Sequence, residues 1–136
     1  MTTSGLSVEE RSKLLQAARE AAGRAYAPYS NLRVGAAVLT ERGNIFTGGN
    51  VENASYGLSI CAERAAVFAA VAAEGGDMKI RALAVFNESE GSCSPCGACR
   101  QVILEFGPQA LVFYKSPDGL KEARITELLP EGFCLE

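Results

Sequence analysis

The sequence predicts a single α/β domain, built on a mixed five-stranded sheet with helices on both faces. Three observations carry that expectation. The apolar periodicity changes in the order helix, hairpin, helix, strand, helix, strand, strand, which suits a sheet covered from both sides. A chain of 136 residues with 48% hydrophobic content supports one core rather than two. No repeat, low-complexity tract or linker divides it, so residues 1–136 are read as one unit.

Ser7 stands three residues before Glu10, the spacing of a reciprocal cap, and a helix is expected from Val8. Leu14, Leu15, Ala18, Ala21, Ala22 and Ala25 recur at helical steps and mark its apolar face; Gly23 weakens the last turns and Pro28 ends them. An ordered loop from Tyr26 to Asn31 leads to a strand from Val34 to Thr40. Glu41-Arg42-Gly43-Asn44 is a turn, and Ile45 to Thr47 returns as the second strand of a hairpin. Gly48 to Gly57 is polar and reads as a loop, the kind of segment that often carries function. The pattern turns helical from Ile60, and the run from Ala62 to Ala73 is apolar on nearly every side. That predicts a buried helix, ended by Gly75-Gly76. Ile80 to Phe86 is a third strand, Asn87 to Ser94 is irregular, and a helix runs from about Cys96 to Phe106 before Gly107-Pro108. Leu111 to Tyr114 is a fourth strand, Ser116 to Gly119 a turn, Glu122 to Ile125 a fifth strand, and Thr126 to Leu129 one helical turn.

A formal charge of −3 with no Lys/Arg patch argues against a nucleic-acid polymer as partner. The first residues show no basic start followed by an apolar run, and no stretch is long enough to cross a bilayer. A cytoplasmic protein without membrane contact is expected. Five cysteines, an odd number, fit reduced thiols and metal ligands better than a disulfide framework.

Cys96 and Cys99 lie three apart at a helix start, on one face, where free N–H groups and the positive dipole end favour thiolates. A redox pair or two core thiols would share that spacing. Cys61 heads another helix and supplies a third sulfur, and three protein ligands on zinc leave a fourth position for water. Cys93 continues the even spacing with Cys96 and Cys99, but it precedes Pro95 and is placed outside the ligand set; Cys134 is read as a packing residue. Glu63, two residues after Cys61, suits a proton shuttle, with a helix-start carboxylate as the plainer alternative. Arg64 would withdraw charge from the sulfurs, because three thiolates make zinc a weak Lewis acid. A closed structural zinc module, with Cys93 as fourth ligand, is the rival reading.

The runs Cys61-Ala62-Glu63-Arg64 and Pro95-Cys96-Gly97-Ala98-Cys99-Arg100-Gln101 resemble the small, homotetrameric zinc-dependent cytidine deaminases, and the resemblance spans about Tyr26 to Leu129. It implies a three-layer α/β/α fold and one Zn²⁺ per subunit, held by Cys61, Cys96 and Cys99. It also implies hydrolysis of cytidine and 2′-deoxycytidine to uridine and 2′-deoxyuridine in pyrimidine salvage, with Glu63 moving the protons. In Asn-Val-Glu-Asn, Asn50 and Glu52 match residues that hold the ribose 3′-hydroxyl, and the Ala54 backbone matches a contact to the base. Gln101 falls beside the site. Leu32 stands where the family often has an aromatic that packs on the pyrimidine, so stacking from that side is lost. Tyr56 and Phe133 would reach a neighbouring subunit's site. Within the enzyme class, an aminopyrimidine antibiotic such as blasticidin S is the alternative substrate; the ribose motif argues against it.

Overall fold

In the computed structural model, residues 5–89 and 91–135 are described. Helix α1 (Val8–Ala22) starts as its spacing predicts: the Glu10 N–H donates to Ser7 Oγ at 3.0 Å, and the Ser7 N–H to Glu10 Oε1 at 3.0 Å. Its end at Ala22 leaves Ala25 outside the helix.

The hairpin of β1 (Val34–Thr40) and β2 (Ile45–Gly49) turns at Gly43, whose φ of 91° requires glycine. β3 (Ile80–Asn87) pairs antiparallel with β1, β4 (Leu111–Ser116) parallel with β3, and β5 (Gly119–Arg124) antiparallel with β4. The resulting five-stranded mixed sheet has the order β2-β1-β3-β4-β5. Successive residues of β1 face opposite layers. Ala37 and Leu39 pack with Leu14 and Ala18 of α1. Ala36 and Val38 pack with α2 (Ala62–Glu74), α3 (Gly97–Phe106) and Ile125 of α4 (Ile125–Leu128). This is the expected three-layer α/β/α arrangement.

Missing side chains set how close the layers come. A Cβ on Gly35 would stand 2.2 Å from both Ala18 O and Ala22 N, so α1 rests directly on the β1 backbone. A Cβ on Gly48 would stand 2.6 Å from Ala66 N, so α2 does the same on β2.

Three expectations need correction. β2 continues through Gly48 and Gly49, because Ala36 and Gly35 of β1 remain available as partners. β5 begins at Gly119, where φ of 112° lets pairing with Ser116 start at once, and Ile125 opens α4 instead of closing the strand. Helix α2 is not buried all round: Phe68 is 49% exposed, and Ala72 and Ala73 also face outward. The sheet and α3 cover only one side of it.

Replacing Gly35 by Ala is expected to push α1 off the sheet and cost about 1–3 kcal/mol. Gly76→Ala, with open space around it, should stay within about 0.5 kcal/mol of the parent. Urea unfolding midpoints of the two variants check this; equal midpoints would contradict it.

Candidate metal centre

β2 and β3 both run antiparallel to β1, so their C-terminal ends lie at the same edge of the sheet, where open α/β sheets place ligands. The chain leaving each strand enters a helix whose N-cap is a cysteine, Cys61 for α2 and Cys96 for α3. Neither thiol bonds to its own helix backbone, which leaves both sulfurs free to face each other. Cys99 adds a third from the first turn of α3. The Cys61 and Cys96 sulfurs are 3.9 Å apart, and all three lie within 4.8 Å of one another. Tetrahedral zinc with bonds of about 2.3 Å needs sulfurs about 3.8 Å apart, so this donor set fits that ion.

Charge at the cluster is shared. The Cys61 thiol is brought down to about 5, first by the hydrogen bond from Cys99, against partial burial, and then by Arg64 and Cys96. The same contact with Cys61 pushes the Cys99 thiol up, as does burial. Arg64 Nη2 donates to Cys61 Sγ at 3.5 Å, and the thiolate contacts raise the guanidinium further. Its Nε is buried with no partner among the described residues. Glu63 is 5% exposed, and burial, with the Cys61 charge adding to it, raises its carboxyl to about 7.

Glu63, Cys61 and Cys96 share a cavity of about 200 Å³ with Asn50. Its remaining walls are Val34, Ala62, Val85, Cys93 and Ser94, which the sequence reading did not assign to a pocket. Alternation along β3 was the available signal for Val85, since it shares the face of Leu83 at the strand end nearest the thiols. Cys93 stands outside the sulfur cluster; its thiol is 3.8 Å from the Val85 carbonyl and is pushed up by burial.

Of the other predicted substrate-binding residues, Asn50 alone lines this cavity among the described residues. The Val34 N–H donates to Asn50 Oδ1 at 2.9 Å, and Asn50 Nδ2 donates to the Leu32 carbonyl at 2.9 Å, so this side chain shapes the entry to β1. Glu52 Oε1 accepts from the N–H groups of Tyr29 (2.9 Å) and Ser30 (3.1 Å), and Oε2 accepts from the Ser30 hydroxyl. The Ser30 hydroxyl foremost, then the two backbone donors, hold this carboxyl below its usual range against some desolvation. Glu52 and Tyr56 line an adjacent cleft of about 250 Å³ with Tyr29, Ser30, Asn53 and Ser59. Ala54 and Leu32 are exposed and line neither opening, and Tyr56 is 82% exposed. Phe133 is also exposed, on the C-terminal segment, where Gln101 bonds its backbone; neither residue lines the metal cavity. Cys134 is exposed rather than packed, because it lies beyond the point where Gln101 holds the chain.

Known proteins resemble this chain in sequence and in fold. Residues 8–115 match the cytidine and deoxycytidylate deaminase zinc-binding region. A cytidine deaminase of Sporosarcina psychrophila is 44% identical over 126 residues, covering 91% of each chain. The crystal structure of cytidine deaminase from Burkholderia pseudomallei superposes with a TM-score of 0.81 at 44% identity, over 94% of this chain and 100% of that one. That from Mycobacterium tuberculosis gives 0.80 at 43%, over 92% and 98%. With most of its length matched in sequence and in fold, and with a three-sulfur cluster able to hold zinc, the chain belongs to the cytidine and deoxycytidylate deaminase family of zinc-binding proteins.

Proposed function

We propose that this chain is a cytidine deaminase, a hydrolase that converts cytidine and 2′-deoxycytidine to uridine and 2′-deoxyuridine with release of ammonia. The observation that carries the reading is a buried carboxyl, Glu63, sharing one small cavity with Cys61 and Cys96, two members of a three-sulfur cluster of zinc dimensions. The similarity to proteins named cytidine deaminase supports the choice of substrate.

Cys61, Cys96 and Cys99 would hold the metal, and Arg64 with two helix N-termini offsets their negative charge. Zinc, when bound, lowers the pKa of water enough to make it a nucleophile toward C4 of cytosine. Glu63 takes one proton from that water and gives it to N3. It then takes the second proton from the new C4 hydroxyl and delivers it to the departing amino group, so uridine and ammonia leave in balance. Burial suits Glu63 to this work, since a carboxyl raised to about 7 both accepts and releases protons near neutrality.

Asn50 retains a second N–H and a second lone pair beyond its two backbone bonds, and Glu52 Oε2 retains a lone pair, enough to bind ribose hydroxyls. Neither the cavity nor the adjacent cleft is lined by Lys or Arg among the described residues, which favours an uncharged nucleoside over a nucleotide. Leu32 supplies apolar contact in place of an aromatic ring, and the Ala54 backbone meets the base. The exposed Phe68, Leu58, Tyr56 and Phe133 fit burial between copies. A homotetramer in which Tyr56 and Phe133 complete neighbouring sites is the assembly we favour, working in cytoplasmic pyrimidine salvage.

Ultraviolet absorbance of cytidine incubated with the zinc-loaded protein tests the activity; conversion is expected, with loss on chelation and recovery on adding zinc. Glu63→Gln should keep its zinc yet lose roughly 10²–10⁴-fold in turnover, and near-normal turnover would remove Glu63 from its role. For the ligand set, zinc per chain is expected to stay at one in Cys93→Ser and to fall in Cys96→Ser. Metal loss in Cys93→Ser would favour a closed structural site.

A further inference from the structure

The run that carries Cys96 and Cys99 is followed at once by Arg100 and Gln101, and both side chains grip main chain instead of lining the cavity. Arg100 Nε donates to the Pro95 carbonyl at 2.7 Å, and Nη1 donates to the Leu128 carbonyl at 2.8 Å, with Nη2 3.4 Å from Ser94 Oγ. The Pro95 carbonyl belongs to the same peptide unit as the Cys96 nitrogen. One guanidinium therefore ties the peptide that carries a sulfur ligand to the last residue of α4.

Gln101 makes a second tie. Its Nε2 donates to the Phe133 carbonyl at 2.8 Å, and the Phe133 N–H donates back to Oε1 at 3.1 Å. Between the two ties the chain presses on α3: a Cβ on Gly132 would stand 2.2 Å from Leu104 Cδ2 and 2.9 Å from Leu129 Cδ2. Pro95 is itself fully buried. On the approach to Cys96 from Ser89 onward, the other long-range bonds among the described residues run to Lys115, from the Cys93 N–H to its carbonyl at 3.0 Å and from its Nζ to the Ser89 carbonyl.

We infer that the C-terminal segment, residues 128–133, braces the Cys96 loop through Arg100 and Gln101, and that Arg100 is a positioning residue for metal retention. This rests on the assignment of Cys61, Cys96 and Cys99 as zinc ligands. A charged donor on two carbonyls fixes the rotation of the Pro95–Cys96 peptide, and with it the Cys96 sulfur, 3.9 Å from that of Cys61. Freed of that restraint, Cys96 drifts from the tetrahedral spacing and the metal leaves faster.

The test uses the zinc-loaded full-length chain and follows the rate of zinc transfer to an excess of a chromophoric chelator, alongside urea unfolding. The wild-type protein is measured first. If it holds no zinc, the ligand assignment fails and the brace falls with it. Arg100→Ala is expected to release zinc about tenfold faster or more, the usual scale for losing a group that orients a ligand. Arg100→Lys, which cannot span both carbonyls, should fall between, and Gln101→Ala and Gly132→Val should each accelerate release by less than Arg100→Ala. Arg81→Ala is the control: it removes a 2.9 Å ion pair with Glu10 on the α1 side and should lower the urea midpoint without changing release. Wild-type release rates in the Arg100 variants, or equal acceleration by Arg81→Ala, would overturn the brace. Should Arg100→Ala not fold, Arg100→Lys and Gly132→Val decide between the same outcomes.

Discussion

The meeting of two cysteine N-caps at one end of the sheet is the constraint on which the rest of the molecule depends. Three sulfurs from two helices must come within 4.8 Å, so the starts of α2 and α3 must be placed to a fraction of an ångström. Strand direction brings the two loops to one edge, and the Gly48 contact with Ala66 sets how near α2 lies to the sheet. The core of small residues, Ala36, Ala62, Ala66 and Ala70, is the packing counterpart of this placement.

Charge explains the company the sulfurs keep. A cluster of thiolates is costly unless cations or aligned N–H groups oppose it, and the site supplies a guanidinium and two helix starts. Glu63 stands in the same helical turn but is buried, so it is held near neutrality while Cys61 ionises readily. One helix start therefore carries two acids driven in opposite directions, a thiol toward its anion and a carboxyl toward its neutral form.

Much of this was legible in the sequence because it is local. The Ser7–Glu10 cap, the hairpin turn and the spacing of Cys96 and Cys99 are all set by neighbours within four residues. Cys61 could join that pair on paper because it heads a helix as they do. What the sequence did not disclose are pairings across distance. Asn50 bonding Val34, Glu52 bonding Tyr29 and Gln101 bonding Phe133 span 16, 23 and 32 residues. No periodicity encodes such partners. The outward face of α2 was misread for a different reason: an apolar pattern records what is to be covered, and not whether the same chain covers it.

The Gly48 and Gly35 contacts carry one more implication, for how mutations would be filtered. At both positions the backbone of a helix already occupies the space where a methyl group would go, so even alanine is too large. Neither glycine bears a functional group, yet each sits under a helix whose placement the sulfurs or their supporting sheet require. A saturation screen scored on activity would return these two glycines beside the cysteines as intolerant positions. The chemistry and the empty space beneath it would look alike, and only a parallel count of retained zinc against folded protein would separate them.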